Sequence, residues 1–340
     1  MKIWFNRWFT TVTHYIDSIR TNPDNREITI YGTHPNPDAA YLQNCDYKAT
    51  EPDCSGEEYL QFCLEFCQQH YIDVFVPRKE NVFISQHIHL FEELGVKVLV
   101  CPDAKLMMAL DDKAETYKLV KKSSQFLCTL PYYYIVNSVE EFQQAYHALR
   151  TKGHTVCFKP AIGEGANGFR VIKEENDSIS DLFSKGIGYR ITYKQACEIL
   201  SSEETFPNLM VLEFLDGPEY SIDCLGYEDE LIVAIPRKKG NGRIRELEEN
   251  QELIEMAKRF QKELRLSYAY NIQVKYKEDV PKLLEINPRM SGGLHMSCLS
   301  GVNIPYYAIK LLLEEEVMVP PLQYNLTITH IEKAIVLEAN

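Results

Sequence analysis

Leu284-Glu285-Ile286-Asn287-Pro288-Arg289 is the stretch on which the reading of the fold turns. Side chains of an extended chain alternate, so Leu284 and Ile286 are expected to face a core while Glu285 and Asn287 project from the other side, with Arg289 just past the strand end. Upstream, Asn271 to Lys275 repeats the pattern, with Ile272 and Val274 inward and Asn271, Gln273 and Lys275 outward. A turn over Lys277 to Pro281, centred near Asp279, joins the two into a hairpin and sets Gln273 beside Glu285. One carboxylate and two amide oxygens on one face are hard ligands that suit Mg²⁺, and a neighbouring guanidinium suits a phosphoryl group or an anionic substrate. Alternation alone is also the ordinary mark of a sheet with one solvated face, and at this level both readings stand.

Working outward from the hairpin, a helix is expected over Glu248 to Leu264, preceded by extended segments at Leu209 to Phe214, Glu219 to Leu225 and Leu231 to Ile235. Further upstream, Thr155 to Phe158 and Phe169 to Ile172 flank a loop in which Gly163, Gly165 and Gly168 spell G-x-G-x-x-G. A dinucleotide fingerprint needs a helix after such a loop, and here an extended segment follows, so the loop reads as the tip of a hairpin whose backbone N–H groups can cover phosphates. Lys159 precedes the loop and there is no His-Arg-Asp, unlike a protein kinase. Helices are expected at Asp111 to Lys122 and Val139 to Thr151, on either side of an extended Leu130 to Val136.

The first hundred residues alternate differently. Strands at Lys2 to Phe5, Ile28 to Tyr31, Val74 to Val76 and Val96 to Val100 are interleaved with helices at Thr10 to Arg20, Gly56 to His70 and Val82 to Leu94. This β-α-β rhythm predicts a parallel sheet with helices on its faces, and directs attention to the loops His34 to Asp38 and Pro77 to Asn81 at strand ends. The expected architecture is α/β followed by α+β, in segments 1–104, 105–205 and 206–340.

Composition bounds the function. The chain of 340 residues carries 36 Lys plus Arg against 49 Asp plus Glu, a net charge of −13 that argues against nucleic acid or an anionic membrane as partner. No apolar run approaches the ~20 residues that span a bilayer, so a cytoplasmic protein is expected. Ten cysteines are scattered without a Cys-x-x-Cys pair and read as reduced thiols. Against the acidic background, Arg237-Lys238-Lys239-Gly240-Asn241-Gly242-Arg243-Ile244-Arg245 places five basic residues in nine.

Together these elements resemble the ATP-grasp superfamily, in particular its carbamoyl-phosphate-synthase-like and biotin-carboxylase-like branch, with a single ATP-grasp unit. The likeness runs through Asp112-Lys113, Lys159-Pro160 with its glycine loop, Val211 to Leu215, Gly217 to Asp223 and Glu285 to Gly293. It implies an N-terminal parallel-sheet domain (1–104), a small lobe with the glycine loop (105–205) and a large lobe with the nucleotide hinge and metal strand (206–340). By resemblance, Lys113 and Lys159 reach nucleotide phosphates and the loop of Gly163, Gly165 and Gly168 closes over them. Glu213, Phe214 and Leu215 resemble the hinge that holds the adenine edge, and Glu219 the carboxylate that accepts the ribose hydroxyls. Gln273, Glu285 and Asn287 match the Mg²⁺ ligands, two ions being expected with Mn²⁺ as a substitute, and Arg289 matches the arginine near the transferring phosphate. Many members carry Glu in place of Gln273, and the amide leaves the metal pair one negative charge short. Arg237, Arg243, Gly292, Gly293 and His295 are the expected substrate contacts. Lys2 to Asn6 and Glu51-Pro52 also resemble, more loosely, ATP-grasp proteins encoded beside tellurite-resistance-type stress genes, which says nothing about substrate.

The resemblance implies an ATP-dependent ligase joining a small-molecule carboxylate to an amine-type nucleophile through an acyl phosphate, releasing ADP and phosphate, with a homodimer among the assemblies it allows. Two alternatives are a carbamate or carboxyphosphate kinase resembling half of a carbamoyl-phosphate synthase, and a non-catalytic ATP-binding sensor or scaffold.

Overall fold

Ile3, Trp4 and Phe5 are wholly buried because β1 (Lys2–Asn6) lies at the centre of a parallel sheet with helices on both faces. A computed structural model describes residues 1–122, 129–163, 165, 167–175, 178 and 188–337. In its first sheet β1 is flanked by β2 (Thr29–His34), β3 (Tyr47–Thr50), β4 (Val74–Val76) and β5 (Lys97–Val98), in the order β3-β2-β1-β4-β5. Trp4 stacks on Phe75 at 4.1 Å on one face. On the other, Ile3 and Phe5 join the core formed with the helices Val12–Arg20 and Ile304–Leu312. The order reverses between β2-β1 and β4, as in doubly wound sheets, where ligands meet strand ends.

Three local expectations are corrected here. The helix expected over Val82 to Leu94 is two helices, Asn81–Gln86 and Ile88–Glu93. The break falls at His87, whose Nδ1 bonds the Phe83 carbonyl at 2.8 Å, the acceptor that an unbroken helix would offer to the His87 amide. The short polar edge strand β3 carries no apolar alternation and escapes a pattern search. A helix at Ala104–Asp111 precedes Lys113–Lys122, and between them stands Asp112, whose Oδ1 accepts from the amide of Ala114 at 2.7 Å and so caps the second helix.

The chain divides into two compact units, one of Met1–Met108, Glu219–Gln273 and Ile286–Asn340, the other of Ala109–Pro218 and Val274–Glu285. The three segments read from sequence are a proposal about lobes in chain order, a separate matter from this division. In the second unit, β6 (Tyr133–Val136), β7 (Val156–Pro160), β8 (Arg170–Lys173), β9 (Arg190–Thr192) and β10 (Leu209–Glu213) form a sheet ordered β6-β10-β7-β8-β9. Phe142 and Leu149 of the helix Val139–Thr151 pack on its Val156, Phe158 and Val211. Ser138 caps that helix by accepting from the Glu141 amide.

A third sheet, ordered β15-β14-β11-β12-β13-β16, contains β11 (Glu219–Tyr227), β12 (Glu230–Lys239), β13 (Arg245–Leu247), β14 (Tyr268–Lys277), β15 (Val280–Asn287) and β16 (Leu326–Ile328). The turn between β14 and β15 is the two residues Glu278 and Asp279, both at positive φ (49° and 63°), the type I′ geometry of a tight hairpin. In β15 the buried positions are Pro281, Leu283 (0%) and Ile286 (1%), whereas Leu284 is only half-buried. The expectation that Leu284 faces the core is therefore corrected. The alternation changes phase between Leu283 and Ile286.

Candidate functional site

In the second unit, helix capping and strand ends bring two lysines to adjacent residues of β15. Asp112 fixes Lys113 as the first residue of its helix, the Lys113 amide donates to the carbonyl of Ala161 at 3.0 Å, and Tyr117 one turn on donates its hydroxyl to the carbonyl of Leu283 at 2.5 Å. The Lys113 side chain is thereby aimed at β15, where Nζ lies 3.6 Å from Glu285 Oε2 and also bonds the Gly163 carbonyl. Lys159, near the end of β7, donates Nζ to the carbonyl of Leu284 at 3.2 Å. Burial pulls the Lys159 ammonium down to about 8, with Glu285 opposing the fall and Lys113 adding to it. Lys113 pairs with Glu285 and Lys159 sits on the adjacent Leu284 carbonyl within the field of the same carboxylate, a grouping of cations that a polyanion would balance.

The glycine loop begins at this group, where the Gly163 carbonyl accepts from Lys113 Nζ. Gly165 and Gly168 have φ of +61° and +75°, and Gly163 +143°. At Gly168 a Cβ would lie 2.6 Å from Pro160 Cδ, so the loop folds back on the strand end through that glycine, while Gly163 and Gly165 face open space. Glu164 and Ala166 lie outside the described residues.

The sequence-predicted hinge is at the end of β10. Glu213 is buried, and its carboxylate is occupied, accepting from the Tyr132 amide at 2.9 Å and pairing with His154 Nδ1 at 3.2 Å. The Phe214 amide donates to the carbonyl of Thr155 at 2.7 Å, the Phe214 ring lies 5.3 Å from Lys275 Nζ, and Leu215 is buried. Side-chain chemistry at Glu213 thus serves the local structure, which leaves backbone groups to meet a ligand.

In the first unit the organising group is Asp223, which sequence reasoning quoted within a motif and gave no role. It is 0% exposed and accepts from Ser297 Oγ (2.6 Å), Ser291 Oγ (2.7 Å), Asn271 Nδ2 (2.8 Å) and Arg237 Nη2 (3.0 Å). Arg237 is a buried strand residue: β12 runs to Lys239, and only residues 240–244 turn before β13. Its guanidinium lies flat on Gly293, where a Cβ would fall 2.6 Å from Cζ, so a glycine is required there. Lys239 pairs with Glu219 at 3.2 Å, Lys238 with Glu248 at 2.9 Å, and Arg243 with Glu332.

Arg289 follows directly. Its amide donates to the Asn287 carbonyl at 2.8 Å, and its Nη1 to the Met290 carbonyl at 3.3 Å. Together with Trp8, Pro77, Asn81 and Tyr268 it lines a cavity of about 20 Å³, room for one water, so the strand-end loop Pro77 to Asn81 does reach a predicted site residue. Gln273 and Asn287 are half-buried on β14 and β15. Gly292 faces Phe9, with a Cβ position 3.6 Å from its ring. His295 stacks on His14 at 4.4 Å.

At the strand ends of the first sheet is a second polar cluster that sequence reasoning missed. Glu51 follows the unrecognised β3, is 3% exposed, and bonds Arg7, Thr33 Oγ1 (2.6 Å) and Tyr59 Oη (3.1 Å). Burial raises its carboxyl pKa despite these bonds. Among the described residues no three His, Cys, Asp or Glu side chains gather as a metal site, and no helix is long and apolar enough to cross a membrane.

Residues 205–334 match the family model described as "ATP-grasp in the biosynthetic pathway with Ter operon". No curated protein matches the sequence. Solved structures do match in fold. The biotin carboxylase domain of Hydrogenobacter thermophilus 2-oxoglutarate carboxylase, in complex with MgADP, ADP and bicarbonate, aligns at TM-score 0.63 and 14% identity over 96% of this chain and 73% of that one. N5-carboxyaminoimidazole synthetase from Staphylococcus aureus complexed with ADP aligns at 0.66 and 12% over 93% and 78%. L-amino acid ligase from Bacillus licheniformis aligns at 0.65 and 13% over 92% and 74%. At such identities the likeness is one of fold, and it agrees with the parallel sheet, the glycine hairpin and the antiparallel sheet described above. The chain therefore has the fold of the biotin carboxylase and N5-carboxyaminoimidazole synthetase structures, and its residues 205–334 are similar to an ATP-grasp family.

Proposed function

We propose that this protein is an ATP-dependent, ADP-forming ligase that activates a small-molecule carboxylate as an acyl phosphate and passes it to an amine-type nucleophile. The observation that carries the reading is the placement of Lys113 on Glu285 and of Lys159 on the adjacent Leu284 carbonyl, with Lys113 also bonded to Gly163 at the start of the glycine loop. Such a cluster carries excess positive charge in a partly dehydrated setting, and the polyphosphate of a nucleotide supplies the missing anion. The ADP bound in the structural relatives supports the same reading.

The donor set fits magnesium. Glu285 supplies a carboxylate and Gln273 and Asn287 supply amide oxygens, all hard ligands, and these three residues are proposed to hold Mg²⁺. When bound, the metal supplies charge neutralisation to the phosphates. Lys113 and Lys159 orient the phosphates, the loop of Gly163 to Gly168 closes to exclude water, and Arg289 offsets charge on the transferring phosphoryl group. The Glu213 to Leu215 backbone is proposed to hold the base, and Glu219 the ribose.

The test is direct. MgATP should raise the melting temperature, and ADP should form only with the correct acid and nucleophile, hydroxylamine trapping the acyl phosphate. Lys159→Met should abolish the thermal shift, and Arg289→Ala should lower turnover on the order of 10²-fold. An unaltered shift in Lys159→Met, or full turnover in Arg289→Ala, sinks the assignment.

A further inference from the structure

Strand register places Arg245 on the same face of the third sheet as Arg237. Arg245 pairs across the ladder with Lys239 and Ile328, and Arg237 with Leu247 and Ser221, so alternation gathers Arg237, Lys239, Arg245, Glu219 and Asp223 on one side. Three cations there face two carboxylates. Arg237 is taken by Asp223 and Lys239 by Glu219, whereas among the described residues the Arg245 guanidinium donates only to the carbonyls of Gly242 and Ile244.

Imidazoles complete the same place. The His295 ring lies between His14, stacked at 4.4 Å and 17°, and His330, edge-on at 6.1 Å, and His330 follows the strand that pairs with Arg245. Among the described residues, both His295 ring nitrogens and His330 Nδ1 are buried without a hydrogen-bond partner. A neutral imidazole always carries one N–H and one acceptor, so His295 forfeits two hydrogen bonds unless something enters beside it. Burial lowers the His295 pKa to about 4, His14, Arg237 and His330 adding to the fall and Asp223 opposing it. Burial also lowers that of Arg245, with Arg237 contributing and Glu219 opposing. Both groups therefore sit in a positive field, and the exposed His14 marks the side open to solvent.

We propose that Arg245, His295 and His330 form a subsite for an oxyanion, a carboxylate or phosphate group carried by the ligand of this protein. That the ligand is a substrate of the ligase rests on the proposed function; the subsite itself does not. Arg245 supplies the unpaired charge and the imidazoles supply N–H donors. Arg237 acts as a positioning residue, held by Asp223 and pressed against Gly293, which sets the backbone on which His295 rides.

The experiment uses the full chain labelled with ¹⁵N-histidine, the His295 resonance being assigned with His295→Gln, and titrates malonate and inorganic phosphate separately. Either probe should raise the apparent His295 pKa by about one unit or more, since a nearby anion favours the imidazolium. A response to malonate alone identifies a carboxylate, and to phosphate alone a phosphoryl group. Arg245→Ala should weaken the response about tenfold or more, and His330→Gln should weaken it less. Arg245→Ala removes a half-buried side chain from the three-residue strand β13, and an unchanged melting temperature verifies its fold. No shift with either probe, or a shift undiminished in Arg245→Ala, overturns the subsite. The MgATP thermal shift is read in parallel, so that a missing nucleotide response with an intact His295 response refutes the ligase reading and leaves the subsite standing.

Discussion

Replacing Asp223 by Ala should be among the most destabilising single changes in the larger unit. The carboxylate is 0% exposed, and its removal leaves the Arg237 side chain, 6% exposed, as a buried charge with no counter-ion. Breaking a buried pair from one side costs about 3–5 kcal/mol. At about 2–4 °C per kcal/mol for a unit of this size, the melting temperature should fall by roughly 6–20 °C. Differential scanning calorimetry measures this, with Asp223→Asn as the variant that keeps shape and loses charge. The decisive comparison is the double variant Asp223→Ala with Arg237→Met. If the cost is the orphaned guanidinium, removing it should return about half of the lost stability. A loss below about 1 kcal/mol in Asp223→Ala, or a double variant no better than the sum of its singles, would refute the reasoning.

Three further outcomes are expected. The Lys159 pKa is about 8 when folded, below the ordinary lysine value, so between about pH 8 and 10.5 the unfolded chain binds more protons and stability should rise with pH; below pH 8 both states are protonated and this contribution is constant. Nucleotide phosphates restore the charge, so MgATP binding near pH 9 should take up close to one proton, seen as buffer-dependent heats in titration calorimetry. Equal heats in buffers of different ionisation enthalpy would count against it. In the glycine loop, Gly168→Ala meets Pro160 at 2.6 Å as well as a positive φ, whereas Gly165→Ala meets the φ penalty alone. Nucleotide affinity should fall more in the former, and equal affinities would show that the loop does not lean on Pro160.

Legibility varied with the range of the interaction. The helices Gly56–His70 and Val139–Thr151 and the strand Val74–Val76 were readable to the residue, because capping and apolar periodicity are local. The split at His87 was not, since it depends on where one ring nitrogen finds a carbonyl. Lys113 and Lys159 could be named from their motifs, yet their placement at Glu285 and Leu284 depends on a helix cap, a strand end and a hairpin far apart in sequence. The phase of β15 at Leu284 was not legible, because the burial alternation shifts between Leu283 and Ile286 and nothing in the local composition marks it.

The basic run Arg237 to Arg245 shows the division most clearly. Composition alone determined that positive charge is concentrated there in an acidic chain, and alternation determined that the segment Leu284 to Arg289 carries hard oxygen ligands and an arginine on a strand. Only the tertiary structure decided which of those charges are spent. Arg237 is neutralised by a buried aspartate fourteen residues upstream, while Arg245, on the next strand, has backbone carbonyls as its hydrogen-bond acceptors among the described residues. Net charge is a sum over sequence, but the field at a site falls off within a few ångströms, and proximity on that scale is set by sheet register and packing.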